Sequence, residues 1–166
     1  MKLSDGVEAA IHCVTALAAL EGNETLPATA LAEFHGVSPS YLLKHLKKLV
    51  AAGILESVSG PAGGYRLARR TDRISLADVV LAVEGAQPAF RCHDIRKKGV
   101  DPLPDDAFPL PCNINLAMLR AEQAYRAELA KTSIAQLMDD FTEQADPRVV
   151  ARGCAFRDRF KRPQGA

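Results

Sequence analysis

The sequence predicts a mainly α-helical chain carrying one small β-hairpin, and three observations support that class. Apolar residues return at helical spacing in several separate stretches. Two of the shorter stretches are joined by Gly36, Val37 and Ser38, a tight turn. A glycine-rich run, GPAGG at 60–64, separates two short segments of strand character.

Taken in order, Ser4 is placed to cap a first helix. Val7, Ala10, Ile11, Val14, Leu17, Ala18 and Leu20 form its inner stripe, and Glu21, Gly22 and Asn23 end it. Pro27 opens a short helix over residues 28–35, with Leu31 and Phe34 inward. Ser38 caps the next helix, Pro39 takes its first position, and Gly53 stops it. Residues 54–58 and 65–68 then read as the two strands of a wing, and Ser75 caps a helix through Val83. Helix, turn, helix and glycine-rich hairpin, in that order, specify a winged helix-turn-helix over residues 1–84. Residues 85–111 hold five of the ten prolines and no periodic run, so they read as a loop. Helical spacing returns in residues 112–145, first as a long helix from Asn113 to about Lys131 suited to dimerisation, then as a shorter helix from Ser133 to Phe141. The charged tail, residues 146–166, is expected to be flexible.

Composition sets limits on function. The chain has 166 residues, 48% of them apolar and no Trp, enough for an ordinary aliphatic core. Its net charge is only +1, so contact with nucleic acid must rest on a local patch. No stretch resembles a signal peptide or a membrane span, which gives the expectation of a cytoplasmic protein without a membrane partner. No phosphate-cradling loop or nucleophile–base motif is present, so no enzymatic activity is expected.

The local patch lies on the second helix of the pair. Ser38, Ser40, Tyr41, Lys44, His45, Lys47 and Lys48 form a stripe that starts at a positive helix end, and Gly63 and Arg66 belong to the wing beside it. These residues point to double-stranded DNA, read as operator half-sites by a homodimer. His45 is expected to face DNA or solvent.

The stretches MKLSDGVEAAIH, LAEFHGVSPSYLLKHLKKLVAAGILES, GPAGGYRLAR, ISLADVVLAVEG and PAFRCHDIR, with PCNINLAM downstream, resemble the IscR/NsrR/RsrR regulators, the Rrf-two family of winged-helix transcription factors. The resemblance spans roughly residues 1–130. It implies a homodimer built on the long helix, a regulator acting by repression, and an iron–sulfur cluster that senses redox or cluster status. The common pattern has three cysteines close together in the loop. Here only Cys92 and Cys112 are found, twenty positions apart. That arrangement is similar to the RsrR-like branch, which implies a [2Fe–2S] cluster bound by Cys92, Cys112, Glu8 and His35 and shared between subunits.

The chemistry of such a set suits a switch. Imidazole replacing thiolate raises the reduction potential, and a carboxylate is a harder, more exchangeable ligand. His12, one turn after Glu8, and His93, beside Cys92, are rival ligands. Two alternatives keep the DNA-binding fold. In one, the same donors hold tetrahedral zinc. In the other, Cys92 and Cys112 form a reversible thiol switch. Cys13 reads as a small buried hydrophobe and Cys154 as incidental.

Overall fold

A computed structural model describes residues 3–163, so residues 1, 2 and 164–166 of the expected domains lie outside the described residues. Helix α1 (Asp5–Ala18) buries Val7, Ala10, Val14 and Leu17, one stripe at the spacing the sequence sets. Helix α2 (Ala28–His35) ends at Gly36, whose φ of 66° lies in the left-handed region. A side chain would be strained there, and glycine lets the chain reverse at once. Ser38 then caps helix α3 (Pro39–Ala51) by accepting the Tyr41 N–H at 3.3 Å, with Pro39 in the first turn. Leu42, Leu46 and Leu49 put one face of α3 into the core.

The wing is an antiparallel hairpin of β1 (Leu55–Val58) and β2 (Gly64–Leu67), in register from Leu55 opposite Leu67 to Val58 opposite Gly64. Its loop is so tight that a Cβ on Gly63 would lie 2.4 Å from the Val58 carbonyl oxygen. Leu26 and Tyr65 exchange backbone hydrogen bonds at 3.0 and 2.8 Å, fastening the hairpin to the segment before α2.

Helix α4 (Leu76–Glu84) opens with a capping box between Ser75 and Asp78 and packs on α1 and α3. Ser4 behaves differently from expectation. Its side chain makes no cap bond to α1. Its hydroxyl donates to Glu84 Oε1 at 2.6 Å instead, and its N–H meets the same oxygen at 2.9 Å. The start of α1 is thereby tied to the end of α4. Both interactions hold the Glu84 carboxyl below its ordinary pKa.

Residues 85–111 form the expected loop, interrupted by two single 3-10 turns at Ile95–Lys97 and Asp105–Ala107. Helix α5 (Asn113–Leu129) follows and has no buried residue. Helix α6 (Ile134–Gln144), capped by Ser133, returns to the core through fully buried Ile134.

The tail departs from the expected flexibility. Asp146 caps helix α7 (Pro147–Phe160), which folds back on the first half of the chain. Phe156 stacks on Phe34 with ring centroids 4.2 Å apart, and Arg162 pairs its backbone with Thr25 at 2.9 and 3.0 Å. Charge density alone suggested fraying, but the tail also carries two aromatic anchors and an Asp–Pro helix start. No helix among the described residues is long and apolar enough to cross a membrane.

Candidate nucleic-acid interface and metal centre

The solvent side of α3 carries Ser38, Ser40, Lys44, Lys47 and Lys48, all exposed as the sequence reading requires. Lys48 is partly committed to the fold, because its Nζ donates to the Val83 carbonyl near the C-terminus of α4 at 2.5 Å. Lys44 and Lys47 make no ion pair among the described residues. Tyr41 is half-buried and sets its ring edge-on to His45, centroids 4.7 Å apart.

His45 corrects the sequence reading. It is 5% exposed and faces inward, with both ring nitrogens unpartnered. It sits against α1 where Gly6 leaves room, since a Cβ on Gly6 would lie 2.2 Å from His45 Cε1. Desolvation, with Lys48 and Lys44 adding, lowers its pKa. A polar residue among the lysines of a basic helix does not reveal this. The usable signal was Gly6, a residue without a side chain in the first turn of α1, just ahead of its apolar stripe.

In the wing, Gly63 is buried and serves hairpin closure. The Arg66 guanidinium bonds Glu56 Oε2 at 3.0 Å and Asn23 Oδ1 at 3.2 Å, so its charge is paired. Arg69 reaches the Gly53 carbonyl, Arg70 pairs with Asp72, and Arg73 is exposed.

The loop brings two of the proposed ligands together. Ligand atoms of Cys92, Cys112 and Asp94 all lie within 4.8 Å of one another. Cys112 is the residue before α5, and the N–H groups of Asn115 and Ile114 at that helix start hold its thiol below the ordinary value, assisted by Cys92 and Arg96. Cys92 Sγ accepts the Asp94 N–H at 3.4 Å. Asp94 was missed in the sequence because nothing in CHD distinguishes a site carboxylate from a turn residue. Its φ of 45° folds the chain back toward Cys92.

Arg96 holds the loop in shape. It bonds Asp94 Oδ1 and the Leu110 carbonyl, each at 2.6 Å, and lies over the Phe108 ring at 5.2 Å. Lys97 covers the same ring at 5.8 Å and pairs with Asp105 at 2.9 Å. The proline-rich segment is therefore cross-braced between the two cysteines.

Glu8 and His35 do not join this group within one chain, and neither do His12 and His93. Glu8 and His12 are both exposed, four residues apart on α1. The His35 ring lies 5.6 Å from that of His12, with its Nε2 enclosed and unpartnered. Desolvation lowers the His35 pKa, and His12 and Arg152 add to the effect. Cys13 is fully buried and its thiol is pushed up to about 12, as suits a core hydrophobe. Cys154 is exposed on α7.

Helix α5 turns large apolar side chains to solvent, with Ile114 61% and Met118 44% exposed and Leu116 close behind.

A helix-turn-helix followed by a two-stranded wing, with a basic outer face on its second helix, defines a winged-helix DNA-binding protein. The family model described as an iron-dependent transcriptional regulator, Rrf2, matches residues 3–140. The chain belongs to that family and is a DNA-binding transcriptional regulator. YffB of Lactococcus lactis subsp. lactis, an HTH-type transcriptional regulator by its description, is 36% identical over 140 residues, 84% of this chain and 88% of that protein. The HTH-type transcriptional regulator IscR of Aliivibrio salmonicida is 42% identical over 78 residues, 47% of this chain and 45% of its own. Among solved structures, T. potens IscR superposes with a TM-score of 0.64 at 20% identity, covering 90% of this chain and 96% of that one. CymR, the global cysteine regulator of B. subtilis, gives 0.61 at 22% identity over 84% and 97%. At these identities the structural likeness concerns the fold.

Proposed function

We propose that the chain is a homodimeric repressor whose operator affinity is set by a [2Fe–2S] cluster. The observation that carries this reading is the meeting of Cys92 and Cys112 across twenty residues of sequence, inside a braced loop next to α5. The donor chemistry fits. Two thiolates on one tetrahedral metal, with bonds of about 2.3 Å, stand roughly 3.8 Å apart, and the two sulfurs lie within 4.8 Å. The apolar face of α5 supports a dimer in which the partner subunit supplies the remaining donors.

Glu8 is one of those donors. Exposure favours His12 over His35 for the imidazole. His12 is open to solvent on the same face as Glu8, while the Nε2 of His35 is enclosed by its own subunit. A bound cluster supplies a one-electron change of charge. The protein's part is to carry that change to DNA. Glu8 and His12 lie on α1, α1 packs on α3 through Gly6 and His45, and α3 bears Lys44 and Lys47. A shift of α1 at its exposed ligands moves the inner support of the recognition helix.

The test is absorption with iron and sulfide analysis on anaerobically purified protein, followed by operator titration of oxidised, reduced and cluster-free forms. The expected result is one red-brown cluster, lost in Cys92→Ala and in Cys112→Ala, weakened in His12→Ala and little changed in His35→Ala. Equal operator affinity in the three states would reject sensing.

A zinc reading draws on Asp94, which lies within reach of both thiols of one chain. Against it, the Asp94 carboxylate is already bonded to Arg96. A colourless protein with one equivalent of zinc would favour it.

A further inference from the structure

The segment after Asp146 lies beyond the match to the family model, which ends at residue 140. It is also the most basic part of the chain. Residues 147–163 hold six Arg and Lys residues against one Asp, while the whole chain carries a net charge of only +1.

Its placement gives that charge a direction. Arg152 lies over the Phe34 ring at 4.9 Å and donates to the Phe34 carbonyl at 3.4 Å, two residues before the turn that leads into α3. At the other end, Arg162 pairs its backbone with Thr25 and sends Nη1 to the Pro61 and Gly63 carbonyls of the wing loop, at 3.2 and 3.0 Å. Lys161 pairs with Glu24 at 3.1 Å. The segment is therefore a strap running from the helix-turn-helix turn to the wing loop, two structural features that flank the recognition helix. Of its cations, Arg148 pairs with Asp146 at the helix start, and Arg157, Lys161 and Arg162 are used to hold the strap down. Arg152 and Arg159 remain exposed with no acidic partner among the described residues, each resting on an aromatic ring that fixes its direction.

We propose that this C-terminal strap is a third DNA-binding element, with Arg152 and Arg159 contacting backbone phosphates beside the recognition helix and wing. Arginine suits the role because its guanidinium bonds phosphate oxygens in pairs and keeps its charge while stacked on an aromatic ring. Holding the strap on the wing places both cations before DNA arrives, which lowers the ordering penalty on binding. Contacts of this kind strengthen operator and unrelated duplex alike, because phosphates carry no sequence information.

The proposal rests on the DNA-binding reading of α3, so the experiment keeps the two apart. Affinity for an operator duplex and for an unrelated duplex is measured against salt concentration, using the full-length chain and its Arg152→Gln/Arg159→Gln and Lys44→Ala/Lys47→Ala variants. Circular dichroism checks that each is folded. The strap variant is expected to lose about two units of the logarithmic salt slope on both duplexes, one per missing phosphate contact, with the preference for operator retained. An unchanged slope in that variant, alongside weakened binding in the lysine variant, overturns the strap while leaving α3 in place. Unchanged binding in both variants overturns both. An Arg162→Gln variant adds an independent check. Releasing the strap from the wing is expected to reproduce part of the slope loss, and a full-strength slope there counts against the strap.

Discussion

Residues 3–84 and the segment from the loop through α5 are built on opposite terms. The first region places its apolar side chains inside, and Leu17, Leu31, Leu42, Leu46 and Val79 are all buried. Among the described residues, every large hydrophobic side chain that is exposed lies at Ile95 or later, from Ile95 through Leu110, Ile114, Leu116 and Met118. The first region closes its own core, whereas α5 turns Ile114, Leu116 and Met118 to solvent, uncovered by any of the described residues. Under the proposed function, that contrast separates a folding unit from a surface suited to assembly, and Cys92 and Cys112, the proposed ligands, both lie in the second region.

The contrast is broken most directly by two leucines of similar size. Leu46→Ala removes a fully buried side chain between α3 and the rest of the core and should cost about 2–5 kcal/mol in denaturant unfolding. Leu116→Asp should leave the subunit's far-UV circular dichroism intact, yield monomers in sedimentation, and weaken operator binding. A stable dimer of the Leu116→Asp variant would remove α5 from the interface.

A smaller effect is expected at the contact between α1 and α3. Gly6→Ala places a methyl 2.2 Å from His45 Cε1, so a helix or the ring must move. Overpacking of that kind costs about 1–3 kcal/mol. The double variant Gly6→Ala/His45→Ala should recover part of the loss, because the added methyl then enters the space of the imidazole. No recovery would mean that the strain lies elsewhere on α1.

These residues also explain which parts of the structure were legible in the sequence. Helices α1 to α4 and the hairpin were legible because each carries a local signature, such as the Leu42, Leu46 and Leu49 stripe or the Gly36 and Ser38 punctuation. The pairing of Cys92 with Cys112 was legible only through resemblance, since no local rule closes a twenty-residue loop. Helix α7 was missed because its partners, Phe34 and Thr25, lie more than a hundred residues away in sequence. The inward turn of His45 was missed because polarity on a basic helix suggests an outward one. Its burial depends on a gap on α1 that only the packed pair of helices reveals.

The buried imidazole gives the weakest and most specific prediction. His45 is enclosed by Gly6 on α1, by Tyr41, Lys44 and Lys48 on its own helix, and has Glu84 on α4 as its acidic neighbour. Desolvation and the two lysines favour the neutral ring, and Glu84 opposes them without reversing the direction. The folded pKa is thus below that of the unfolded chain, near 6.5. Above 6.5 the ring is neutral in both states and its contribution to stability is fully present. As pH falls below about 6.5 the unfolded chain takes up the proton first, and stability is lost until the folded pKa is passed. His35 shares the direction for the same reason, so wild-type protein contains both contributions. Carboxylates held low, such as Glu84, begin to act only in more acidic solution. Unfolding free energies measured between about pH 5 and 7.5 should therefore decline toward acid, and His45→Gln should flatten that decline while His35→Gln flattens a separate part. A slope unchanged by His45→Gln would mean that the ring is protonated equally in both states, and the buried neutral imidazole behind the recognition helix would have to be abandoned.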